Sequence, residues 1–117
     1  MMIELHVKQD LEELVKRSRS EPVFLFKHST QCSRSASVIE DFTAFGQENP
    51  EVPCGLILVI EARDVSDEVE DRFGIRHESP QAILIVNESP VWHASHWRVT
   101  EDALEAAIAA QSTTERE

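Results

Sequence analysis

Lys27-His28-Ser29-Thr30-Gln31-Cys32-Ser33-Arg34-Ser35 joins an apolar run, Pro22 to Phe26, to a segment whose apolar residues recur at helical spacing. Val23-Phe24-Leu25-Phe26 reads as a buried strand. Val38, Ile39, Phe42 and Phe45 predict an amphipathic helix from about Ser33 to Gln47. Cys32 therefore stands where a strand hands over to a helix. The first turn of a helix leaves backbone N–H groups unpaired and carries the positive end of the dipole. A thiolate is better stabilised there than a thiol, and such a cysteine can fall from ~8.5 into the range ~3.5–7.5 and act as a nucleophile. Three residues on stands Ser35, so the pattern is Cys-x-x-Ser and has no second cysteine.

Working outward, Ile3 to Val7 alternates like a half-buried strand, and Asp10 is placed to cap a helix carrying Leu11, Leu14 and Val15. Past the loop Glu48 to Val52-Pro53, Gly55 to Ile60 is the clearest buried strand. A short helix, about Ser66 to Phe73, stops at Gly74. Ala82 to Val86 makes another strand, Asn87-Glu88-Ser89-Pro90 turns the chain, and Val91 to Ser95 returns as a hairpin partner. Thr100 caps a last helix with Ala103, Leu104, Ala107 and Ile108 on its apolar face. The expected organisation is one domain over residues 1–110 and a frayed polar tail over 111–117.

The 117 residues carry a net charge of −11, which disfavours nucleic acid and anionic membrane surfaces. No apolar run reaches the ~18 residues of a membrane span, and the start of the chain lacks the pattern of a signal peptide. A cytoplasmic protein with two free thiols, Cys32 and Cys54, is the expectation. Cys54 reads as a small buried hydrophobe. His93 and His96, three apart on a strand, point to opposite faces, so no metal site is expected.

The element order is β-α-β-α-β-α-β-β-α. Strands separated by helices imply a parallel sheet, and the closing hairpin adds antiparallel strands. That order predicts an α/β, thioredoxin-like fold with a central mixed five-stranded sheet flanked by helices. Cys32 would lie at the ligand edge of that sheet.

Specific residues carry a closer likeness over about residues 3 to 110. They are Lys27-His28-Ser29-Thr30 before Cys32, then Ser35 and Ala36, then His77-Glu78-Ser79-Pro80-Gln81, with Trp92, Ala94-Ser95-His96 and Thr100. In these the chain resembles the monothiol bacilliredoxins, the YtxJ-like bacillithiol-system redox proteins. It departs at one point, where the family's usual Cys-Pro-Ile-Ser is here Cys32-Ser33-Arg34-Ser35. Ser33 restores a backbone N–H to the helix start, and Arg34 adds a positive charge.

The resemblance implies a cis bond before Pro80 and a wall, Ser79 and Pro80, against which an extended thiol substrate would pair like one more strand. It implies a reductase of mixed disulfides between proteins and the low-molecular-weight thiol bacillithiol. Cys32 would be the nucleophile, a second thiol would regenerate it, and no cofactor would be tightly bound. Ser35 would donate a hydrogen bond to the thiolate. Lys27, Arg34 and Arg98 are candidate partners for the malate carboxylates of bacillithiol, and Trp97 is placed to line the site. His28 and His77 either tune Cys32 or fill polar pockets. The alternative to turnover is a redox sensor or adaptor whose Cys32 is modified and read by a partner.

Overall fold

The structure, a computed structural model, describes residues 1–30 and 33–116; for 33–35 and 112–116 it describes the backbone alone. The elements are β1 (Met2–Glu4), α1 (Lys8–Arg17), β2 (Val23–His28), α2 (Ser33–Glu48), β3 (Cys54–Leu58), α3 (Arg63–Phe73), β4 (Gln81–Val86), β5 (Ser89–Ser95) and α4 (Glu101–Arg116). A 3-10 turn, His96–Arg98, stands between β5 and α4. The sheet order is β1-β3-β2-β4-β5, with β1 and β2 parallel to β3. β4 runs antiparallel to β2, and β5 antiparallel to β4. β2 is thus central, and all six of its residues are buried.

Side chains alternate across the strands and divide the core in two. Val23 and Leu25 of β2, Ile57 of β3 and Ile83 and Ile85 of β4 pack with Leu11, Leu14 and Val15 of α1 and Val65 and Val69 of α3. Phe24 and Phe26, Cys54, Ala82 and Leu84 pack on the other face with Val38, Phe42 and Phe45 of α2 and Leu104 of α4.

Local chemistry moves several expected boundaries. Asp10 is the third residue of α1 and not its cap; its Oδ2 accepts the backbone N–H groups of His6 (2.9 Å) and Val7 (3.2 Å) from inside the first turn. That contact ends β1 at Glu4, three residues short of Val7. α3 begins at Arg63, one turn before Ser66, because nothing between Asp64 and Ser66 opposes a helix. Gly74 closes it as expected, at φ 67°. Asn87 (φ 52°) and Glu88 (φ 65°) alone make the hairpin turn, so β5 starts at Ser89. Two left-handed residues match the twist of the flanking strands. Thr100 caps α4 as expected, its Oγ1 accepting the Ala103 N–H at 3.1 Å. The residues from Gln111 to Arg116, expected to fray, continue α4 as helical backbone. No glycine or proline follows Pro90 to interrupt them.

Candidate functional site

The C-terminal ends of β2 and β3 form one edge of the sheet, where the Val59 N–H donates to the His28 carbonyl at 3.0 Å. α2 starts from this edge at Ser33. Gln31 and Cys32, and the side chains of Ser33, Arg34 and Ser35, lie outside the described residues. The Ser79–Pro80 bond is cis, as the resemblance implies. Pro80 is buried, its carbonyl accepts the His96 N–H at 2.8 Å, and Gln81 follows as the first residue of β4.

Lys27 departs from the role expected of it. Strand alternation puts it on the face of Val23 and Leu25, under α3, and it is fully buried. Its Nζ donates to the Ser66 carbonyl at 3.1 Å and lies 3.0 Å from His77 Nδ1. A buried side chain committed to these partners is not placed to meet a ligand carboxylate. Burial pushes the ammonium down to about 8, with Glu70 and Asp67 opposing. His77 is held below its ordinary value by burial first and by the Lys27 charge second. Neutral imidazole beside a cationic lysine is the consistent pair.

This pair belongs to a polar layer at the upper end of the α1/α3 face. Lys27 is the sheet partner of Gln81, and Gln81 of Ser95. Gln81 is 1% exposed, and its Nε2 donates to the Arg76 carbonyl (3.0 Å) and Ser95 Oγ (3.2 Å). Glu70 Oε2 accepts the His77 N–H at 2.8 Å. The layer pins the segment from Arg76 to His77 from below, and that segment leads into Ser79–Pro80. Sequence reading did not assign Ser66, Glu70 or Gln81 this work. Lys27 itself carries a signal: it alternates with Val23 and Leu25, so a strand places it inside.

Trp97 and Arg98 fall on the second flank. Trp97 is 71% exposed, and both line a cleft of about 300 Å³ with Glu78, Ser95 and His96. His96 adopts φ 57°, and its Nε2 lies 3.8 Å from Glu78 Oε2. Hydrogen bonding from Ser95 holds the Glu78 carboxyl below its ordinary value. The cleft therefore adjoins the cis-proline segment through Glu78, which brings Trp97 and Arg98 to the side of Ser79–Pro80.

Cys54 lies at the opposite end of the sheet, level with Phe24 at the start of β2. It is fully buried, and burial pushes its thiol up to about 12. Among the described residues no cluster of three or more His, Cys, Asp or Glu could hold a metal ion, and no helix is long and apolar enough to cross a membrane.

Solved structures share this architecture. A protein described as a candidate oxidoreductase with a thioredoxin fold superposes with a TM-score of 0.82 at 30% identity, covering 91% of this chain and 92% of its own. Fasciola hepatica thioredoxin matches at 0.76 with 18% identity, covering 92% and 96% of the two chains. Thioredoxin NaTrxh from Nicotiana alata matches at 0.76 with 19% identity, covering 93% and 90%. These two show the fold: the sheet and its flanking helices are thioredoxin-like. The family model of the monothiol bacilliredoxin BrxC matches residues 3–104, a span that runs from β1 into α4 and contains Cys32 and Pro80 alike. With a cis-proline beside the strand–helix junction and the other thiol shut into the core, the chain belongs to the monothiol bacilliredoxin family of thiol redox proteins.

Proposed function

We propose that this chain is a monothiol thiol-disulfide oxidoreductase that reduces protein–bacillithiol mixed disulfides through Cys32. The observation that carries the reading is the match to the monothiol bacilliredoxin family across residues 3–104. The state of the other thiol supports it, since Cys54 is buried and, at about 12, is almost wholly protonated at neutral pH.

In the first step the Cys32 thiolate attacks the bacillithiol sulfur of the mixed disulfide. A Cys32–bacillithiol disulfide forms, the protein–bacillithiol bond breaks, and the protein cysteine leaves as a thiolate. A second small thiol, as its thiolate, then attacks the bacillithiol sulfur held on Cys32. It releases the Cys32 thiolate and carries bacillithiol away as a new disulfide. Ser35 cannot take that resolving role because it has no sulfur. The helix N-terminus at Ser33 and the charge of Arg34 favour the thiolate, and the reading gives Ser35 the role of its hydrogen-bond donor. Ser79 and Pro80 form the wall along which the substrate lies, with Trp97 and Arg98 on its flank.

The test is turnover of a bacillithiolated carrier protein by wild type, Cys32→Ser and Cys54→Ser. Loss confined to Cys32→Ser is the expected result. Stoichiometric capture of bacillithiol on Cys32 without carrier release would favour a sensor or adaptor. Equal loss in both variants would sink the monothiol scheme.

A further inference from the structure

A cleft of about 320 Å³ opens at the C-terminal edge of the sheet, lined by Val59, Ile60, Arg63, Ser66, Asp67 and His77. It lies beside the segment that leads into Ser79–Pro80, since His77 stands three residues before cis-Pro80, and Val59 is tied to His28 at the end of β2. Two groups converge on one atom of its His77 wall. Lys27 Nζ lies 3.0 Å from Nδ1, and Ser66 Oγ lies 3.2 Å from it. An ammonium has donors and no lone pair, so Nδ1 must accept. The ring proton then resides on Nε2, on the far side of the ring from Lys27. Glu70 Oε2 fixes the backbone of the same residue through its N–H.

The geometry points to His77 as a substrate-binding residue, locked by Lys27 and Ser66 as the Nε2–H tautomer, whose N–H donates to an acceptor oxygen of the small thiol seated in this cleft. The assignment rests on the function proposed above and names which part of the substrate is read. The charged groups facing the cleft explain why a directed donor matters more than net charge there. Arg63 is exposed and makes no ion pair among the described residues, Asp67 lines the same cleft, and Lys27 and Glu70 meet His77 from its other sides. Opposite charges nearly offset, and a neutral imidazole adds none. Beside the long, exposed Arg63 guanidinium, His77 offers one N–H of fixed direction, suited to a carboxylate or amide oxygen.

The test uses one carrier protein made into two mixed disulfides, with bacillithiol, rich in acceptor oxygens, and with cysteamine, which has none. A donor lost to a charged or strongly polar acceptor is worth about tenfold. His77→Ala is therefore expected to lower the kcat/KM ratio of bacillithiol over cysteamine carrier by about tenfold, with the change in KM, and His77→Gln, which keeps an N–H donor, to recover most of it. An unchanged ratio overturns the assignment. A second readout does not depend on turnover. Long-range 1H–15N NMR of full-length Cys32→Ser protein should show His77 protonated at Nε2, and S-methyl bacillithiol should shift that nitrogen. A ring protonated at Nδ1, or an Nε2 signal that ignores the ligand, overturns the assignment too. If wild type turns over neither carrier while the Nε2 signal responds, the enzymatic reading fails and this one stands.

Discussion

The two faces of the sheet are built from different chemistry. Under α2 and α4 the core is aromatic: Phe26 stacks on Phe42 at 4.1 Å between ring centroids, Phe24 stacks on Phe26, and Phe45 and Trp92 meet Phe24 edge-on. Under α1 and α3 the core is aliphatic, and its upper end is not apolar at all. There Lys27, Ser66 and Gln81 are buried together under the segment that leads to Ser79–Pro80. One face closes with rings and needs no polar partner. The other gives up apolar burial at one end and gains a fixed loop. A fold that held its cis-proline segment by packing alone would have no reason to bury an ammonium.

The largest effect expected from this contrast lies on the aromatic face. Phe42 is fully buried and lies nearly parallel to Phe26, at 8° between the ring planes. Phe42→Ala removes a stacked ring and leaves a cavity where no small shift brings in a replacement. A loss of about 3–5 kcal/mol is expected, read from urea unfolding. A loss under ~1 kcal/mol would mean that the ring stack adds nothing to the core.

The next effect separates the faces by pH. Lys27 falls from 10.5 to about 8 in the folded chain. Its charged form is thus disfavoured by folding. Between pH 8 and 10.5 the unfolded chain holds the proton that the folded chain has released, so stability rises with pH over that window. A shift of this size is worth roughly 3 kcal/mol at the upper end. The expected outcome is a stability difference between wild type and Lys27→Met that moves by about that much, in favour of wild type, from pH 7 to pH 10. A flat difference curve would place the ammonium in water and dissolve the polar layer.

Much of this architecture is legible in the sequence, and the illegible part has a common cause. Buried strands such as Val23–Phe26 and Ala82–Val86 announce themselves because both faces are covered and the run is apolar throughout. Gly74 and Thr100 mark helix ends because one supplies a left-handed conformation and the other a hydroxyl acceptor. Pro80 could be read as cis only through the family likeness, since nothing local distinguishes it. The polar layer was harder. Lys27 looks like a surface residue by type, and its burial depends on Ser66 and His77, which are 39 and 50 residues away along the chain. Pairings at that separation are made by the fold and leave no spacing pattern. Asp10 shows a related ambiguity, because an acidic residue at a helix start can reach forward from the cap to the second and third helical N–H groups or, as here, back from the third helical position to the N–H groups of Val7 and His6.

The smallest effect gives the sharpest comparison, because one substitution is made on both faces. Gly55 of β3 belongs to the aliphatic side, where an added Cβ would stand 2.6 Å from Leu14 Cδ2 and 2.8 Å from Leu5 Cδ1. Both leucines are buried and would have to leave their rotamers. Overpacking of this kind costs about 1–3 kcal/mol, against a gain of ~0.4–1 kcal/mol from restricting the unfolded glycine. Gly46 of α2 belongs to the aromatic side, where the nearest atom to an added Cβ is Met2 Cε at 3.9 Å, an ordinary contact. There the unfolded-state gain stands unopposed, and the helix prefers alanine by about 0.5–1 kcal/mol. Gly55→Ala should destabilise by about 1–2 kcal/mol and Gly46→Ala should stabilise by about half as much, both read from urea midpoints at constant slope. Adding Leu14→Val to Gly55→Ala tests the cause. If Leu14 is the clash, the double variant loses less than the sum of its parts. If the two losses simply add, the leucine already has room to turn, and the aliphatic face is packed more loosely than its contacts imply.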